Sequence, residues 1–274
     1  IGRGDCMRRT FKETFFLVKK SHGFRCNVLC KMRLLRKEDI SLALSLHKKI
    51  AKDIGDENIF CAEHTIEESI LGQGFVIGIF AEEVLIAMRA VSFGSKYVEE
   101  ALADLRLPDK ERNHIAVMDF CITEKAFRGN DIQHFTFLKA ENLLYPYRYH
   151  LHTTISPLNN YSLRNMLRSG FLVVDLKEKY GGYLRFILHK DLQALPKVCI
   201  HEHIEVPIED YDSQLALLSM GYYGYAIKKN HTGYSVLYGT RSSSTRHLGK
   251  SGEELVHLVQ KKAKVLRRIL PHDF

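Results

Sequence analysis

The stretch HIAVMDFCITEKAFRGNDIQHFTFLKAENLL, residues 114–144, decides the fold. His114–Thr123 is nearly continuous in apolar side chains, as expected of a strand covered on both faces. Glu124–Asn130 then reads as a turn, and a helix runs from about Asp131 to Leu144, ending before Pro146. Arg128-Gly129-Asn130 at the bend sets successive backbone N–H groups at a helix N-terminus. Orphan amides and the helix dipole there hold an anion such as a phosphate or diphosphate. Taken alone, such a bend is also an ordinary surface connection.

Working outward, Met32–Arg36 reads as a short strand, followed by a helix with Glu38 and Asp39 in its first turn, where carboxylates favour the dipole. Thr65-x-x-Glu68 is a capping-box pattern that opens a short helix through Leu71. Gly74–Glu82 and Glu83–Phe93 read as two tightly joined strands, and Tyr97–Leu107 as a helix stopped by Pro108. Downstream, His150–Ile155 is a strand, Asn159–Arg168 a helix with Gly170 as its C-terminal cap, and Phe171–Leu176 and Tyr183–Leu188 complete the sheet. The order β-α-α-β-β-α-β-α-β-α-β-β predicts an α/β domain, a mixed central sheet with helices on both faces. Beyond Pro196 a βαββ module is expected: strand His203–Pro207, helix Asp210–Met220, and a hairpin of Gly221–Lys228 and Tyr234–Gly239. The expected segments are therefore 1–31 as a basic arm or an appended piece, 32–192 as the main domain, 193–240 as the module, and 241–274 as linker and helix (Glu253–Leu270).

Apolar residues form 45% of the 274-residue chain and charged residues 26%, the balance of a folded soluble protein. No run approaches the ~18 apolar residues that span a bilayer, and no signal peptide is evident, so a cytoplasmic protein is expected. The six cysteines include no Cys-x-x-Cys pair and read as reduced thiols. Cys26 and Cys30 with His22 lack the second ligand pair that zinc needs, and no metal is expected. The net charge of +8 is concentrated at the ends: +6 in residues 1–31, +5 in 241–274, and −3 between them. The global charge therefore does not point to nucleic acid, and the helix 253–270 reads first as an amphipathic helix packed on the body.

A second element follows the first. Strand His150–Ile155 runs into Ser156-Pro157-Leu158-Asn159-Asn160-Tyr161-Ser162, then a helix, then Gly170-Phe171. As local structure this is a capped helix, with Asn159 or Asn160 as N-cap. In combination with Phe127-Arg128-Gly129-Asn130-Asp131-Ile132-Gln133, the chain resembles the GNAT N-acetyltransferases, whose acetyl-CoA loop reads Arg/Gln-x-x-Gly-x-Gly/Ala. Thr154–Ser162 with Gly170-Phe171 is similar to that family's next strand and helix, and Tyr180-Gly181-Gly182-Tyr183-Leu184-Arg185 looks like the final hairpin of one branch. The resemblance covers about 32–192 and departs at two points. Asp131 stands where the family pattern has its first loop glycine, and Met166 stands where many members carry a tyrosine acid.

The resemblance implies the GNAT fold and direct attack of a neutral amine on the acetyl-CoA thioester. It implies backbone amides near Ile122 and Thr123 binding the acetyl carbonyl. Arg128, Gly129, Asn130, Ile132 and Gln133 would cradle the diphosphate, and Asn159 and Ser162 would contact the pantetheine arm or its phosphate. Asp119 or Glu124 is the candidate base. The acceptor is an amine of a small molecule, an antibiotic, a peptide N-terminus or a lysine, with Tyr222, Tyr223 and Tyr225 of the module on the acceptor side. The alternative is a GNAT-like acyl-CoA-binding sensor or protein-interaction module weakened by Asp131 and Met166.

Overall fold

A computed structural model describes residues 11–21, 23–56, 59, 65–194, 198–231 and 233–241. It forms two compact units, Ile1–Thr153 and Thr154–Phe274. The helix expected over 253–270 lies outside the described residues, as does the linker from residue 242.

The N-terminal segment does not stand apart as the sequence suggested. Strands β1 (Lys12–Ser21) and β2 (Phe24–Leu34) form an antiparallel hairpin in register from Lys12↔Arg33 to Ser21↔Phe24. β2 continues the sheet by pairing with β3 (Gly74–Ala81), Met32 opposite Ile79. The expected strand Met32–Arg36 is only the tail of β2. The reason lies in burial: Leu17 is buried, whereas Phe16 and Leu29 face each other across the hairpin and lie exposed. An edge hairpin of this kind carries no clean inside–outside alternation.

From α1 onward the expected order holds: α1 (Ile40–Ile54), α2 (Thr65–Glu68), β3, β4 (Val84–Ser92), α3 (Ser95–Leu105), β5 (Ile115–Thr123), α4 (Ile132–Leu144) and β6 (His150–Ile155). β3, β4 and β5 pair antiparallel in sequence, and β5 pairs parallel with β6, giving a mixed sheet. Alternation along β4 and β5 places the helices. Met88, Ala90, Phe120 and Ile122 pack on the Ala43–Leu46–Ile50 stripe of α1. Arg89 points to the opposite face and reaches Thr136 of α4. On α3, Val98, Ala101 and Leu102 pack with Ile115. Each such Leu or Ile contributes about 1.5–3 kcal/mol through burial. Among the described residues no helix is long and apolar enough to cross a membrane.

The second unit holds α5 (Asn160–Arg168), β7 (Leu172–Lys179), β8 (Tyr183–Asp191), β9 (Val198–Pro207), α6 (Tyr211–Ser219), β10 (Tyr223–Lys229) and β11 (Tyr234–Arg241). Its strands lie in the order β8-β7-β10-β11-β9, every pair antiparallel. Gly224 makes the single rung from β10 to β7, opposite Val173. A Cβ there would stand 2.9 Å from the side chains of both Val173 and Val236, so the close approach requires glycine. Tyr238, fully buried, donates its hydroxyl to Gln214 Oε1 at 2.5 Å. Tyr222, expected on the acceptor side, is buried as well.

The entry to α1 is fixed by an ion pair. Asp39 accepts Arg33 Nη1 at 2.6 Å, Arg33 Nη2 at 2.8 Å and the Arg36 backbone N–H at 2.8 Å. The Arg33 hydrogen bond holds the Asp39 carboxyl below its ordinary range against the opposing pull of burial. A depressed carboxyl stabilises the fold above the unfolded-state pKa, about 3.9, and this contribution disappears as pH falls through the folded-state value. Asp39→Asn is therefore expected to cost about 2 kcal/mol at pH 7. Urea unfolding across pH 2–7 checks this, the gap between variant and wild type closing at the acid end.

Candidate functional site: the β5–α4 bend

β5 outruns its parallel partner. Its rungs to β6 are Ile115↔His150, Ala116↔Leu151 and Val117↔His152, and the strand continues through Met118–Thr123 beyond the last of them. On the β4 side the pairing shifts between Ala90↔Phe120 and Val91↔Met118, which makes Asp119 the extra residue of a β-bulge. Bulges bend a strand and re-aim side chains. Ile122 and Thr123 lie opposite Met88 and Ala87, at the end of the strand.

The turn is built from local bonds. Glu124 donates its backbone N–H to Ile86 O at 2.8 Å, and one 3-10 turn, Lys125–Phe127, buries Phe127. Arg128 Nε donates to Thr123 O at 3.3 Å. Gly129 has φ +86° and Asp131, the N-cap of α4, has φ +56°. A left-handed position costs an ordinary residue roughly 1–2 kcal/mol and glycine nothing, with Asp among the residues that tolerate it. That conformation explains why the resembling pattern places glycine at Asp131. The first helical bonds come from His134 and Phe135, both to Asp131 O, and the amides preceding them face out of the helix start.

Two groups hold this bend, and neither carries a local sequence signal. Arg89, fully buried in β4, donates Nη2 to Gln133 O at 2.6 Å and Nε to Thr136 Oγ1 at 3.1 Å. Burial lowers its pKa, yet an arginine starts so high that it stays charged. A cation thus sits under the first turn of α4 and adds to its positive end. The second is the edge of β1. The Asn130 side chain accepts the Val18 backbone N–H at 2.8 Å and returns a bond to Val18 O at 2.8 Å, with a third to Phe127 O. Lys20 Nζ donates to Arg128 O at 3.0 Å. Phe15 packs edge-on against Phe135, and Lys139 pairs with Glu13. The Asn130 side chain is thereby engaged with β1, leaving only its backbone amide for a ligand.

The acid–base candidates have different surroundings. Glu124 Oε1 accepts Lys49 Nζ at 2.6 Å in an ion pair. Asp119, at the bulge, lies near Tyr97 of α3, a residue the sequence reading placed only as helix. The Tyr97 hydroxyl is pushed up to about 12, first by burial and then by the carboxylates of Glu68 and Asp119, and it hydrogen-bonds Glu68. A phenol in that range keeps its proton at neutral pH and donates it to the Glu68 carboxylate. Its partners are distant in sequence, which is why no local pattern marked it.

Asn159 and Ser162 belong to the second unit. Asn159 caps α5 by accepting the Ser162 N–H at 3.0 Å, the capped-helix reading of that motif. Met166 is buried within α5.

The fold neighbours are acetyltransferases. A GNAT-family acetyltransferase from Streptococcus pneumoniae aligns at 12% identity over 60% of this chain and 99% of its own, with a TM-score of 0.46. One from Listeria monocytogenes aligns at 19% identity over 64% and 99%, with a TM-score of 0.44. Mycobacterium smegmatis RimJ, in complex with CoA-disulfide, aligns at 11% identity over 70% and 91%, with a TM-score of 0.46. No family model and no curated protein sequence matches the chain.

Asn130→Ala removes the paired bonds to Val18. The expected result is a loss of about 1–2 kcal/mol in stability, together with faster hydrogen exchange at the Val18 amide and unchanged exchange in β4. Amide-resolved exchange checks this.

Proposed function

We propose that the chain is an acyltransferase of the GNAT type that moves the acetyl group of acetyl-CoA to an amine. The observation that carries this reading is the β5–α4 bend: amides at a helix start, Arg128 beside them and the buried Arg89 beneath. This is the chemistry that binds a diphosphate. The amides of Gly129, Ile132 and Gln133, the Asn130 amide and the Arg128 guanidinium are proposed to hold it. Asn159 and Ser162 are proposed, on their motif alone, as contacts to the pantetheine arm.

In the proposed reaction the amine nitrogen attacks the thioester carbon, and the carbonyl oxygen takes negative charge. Amides near Ile122 and Thr123, on the strand that outruns its partner, are proposed to receive that charge. The C–S bond then breaks, the thiolate leaves as CoA and takes up a proton, and the nitrogen keeps the acetyl group. Asp119 is the preferred base. Glu124 is second, because its Oε1 is already engaged by Lys49. The alternative reading, an acyl-CoA-binding sensor, is favoured by Asp131 at the helix start and by Met166 in place of a tyrosine acid.

Acetyl-CoA is expected to raise the melting temperature of the protein, and thiol release in the presence of an amine panel separates enzyme from sensor. Asp119→Asn is expected to lower kcat about 10²–10⁴-fold with little change in the acetyl-CoA-induced stabilisation. Asp131→Gly removes both a left-handed strain and a carboxylate, and should tighten acetyl-CoA binding by about tenfold. Stabilisation without turnover for any amine favours the sensor, and no stabilisation at all contradicts both readings.

A further inference from the structure

We propose that the N-terminal hairpin is part of the coenzyme site, with the Lys20 ammonium as a second diphosphate-binding cation beside Arg128. This rests on the coenzyme reading above and adds a residue 108 positions away from the bend in sequence. Lys20 Nζ bonds Arg128 O at 3.0 Å, and a Cβ on Gly129 would lie 2.8 Å from the same nitrogen. The charge therefore lies directly against the bend. An ammonium carries three donors, so the bond to Arg128 O does not exhaust it.

The position is built rather than incidental. Asn130 bonds both the N–H and the C=O of Val18, which fixes the edge of β1 to the bend in one register. Lys20 lies two residues along, on the same side of the strand as Val18, so that register delivers its side chain to the same place. A slip by one residue would turn Lys20 to the other face. Asp131 supplies the reason for a second cation. Its carboxylate stands at the helix start, where it repels a diphosphate, and the Lys20 charge offsets that repulsion.

The test measures dissociation constants of CoA and of 3′-dephospho-CoA, which keeps the diphosphate, by calorimetry at low salt. Wild type, Lys20→Met and Lys20→Arg are compared. Lys20 is exposed, and unchanged melting of the free variants confirms their fold. Lys20→Met is expected to weaken both ligands by about tenfold, and Lys20→Arg to restore most of the loss. Equal affinity of Lys20→Met and wild type for CoA overturns the inference while leaving the coenzyme reading in place. A loss confined to CoA and absent from 3′-dephospho-CoA also overturns it, because the cation would then be reading the other phosphate. A well-folded wild type that binds neither ligand overturns the coenzyme reading, and this inference with it.

Discussion

The bonds from Asn130 to both polar groups of Val18 fix where α4 begins. A helix start is the least constrained part of a helix, because its first amides lack partners within it. Here the residue just before the N-cap is bound to a strand edge, and the first turn is bound to the guanidinium of Arg89. The amides between are consequently held in one arrangement before any ligand arrives. Pre-organisation of this kind is what allows backbone dipoles to bind or stabilise charge without reorganising.

The same bonds resolve a difficulty for the fold. β1 is a sheet edge, and an open edge invites pairing with another chain. The Asn130 amide occupies the outward N–H and C=O of Val18 as a neighbouring strand would. One side chain therefore covers a pair of edge groups and positions a loop, and its two ends lie 112 residues apart.

What the sequence showed and what it hid follow from how each element is covered. β3 and β4 were legible because both faces are largely buried, and β5 because its apolar run is nearly unbroken. The β5–α4 bend was legible because Arg128-Gly129-Asn130 sits between a strand and a helix of clear period. The hairpin was not, since Phe16, Phe24 and Leu29 are exposed and the segment is rich in cations. Arg89 is a single charge within an apolar strand, and nothing local identifies the carbonyl it binds. Asp119 could be named from its strand, but the bulge that re-aims it depends on the register with β4. Contacts between elements far apart in the chain, as with Tyr97 and Lys20, leave no periodic trace in a single sequence.

The account depends on the bend as a diphosphate site. Titrating isotope-labelled protein with CoA while following backbone amide shifts tests this most directly. The account predicts the largest, saturable changes at Gly129, Asn130, Ile132 and Gln133, with smaller ones at Val18 and Lys20 in β1. Saturable binding that leaves those amides unmoved would contradict it.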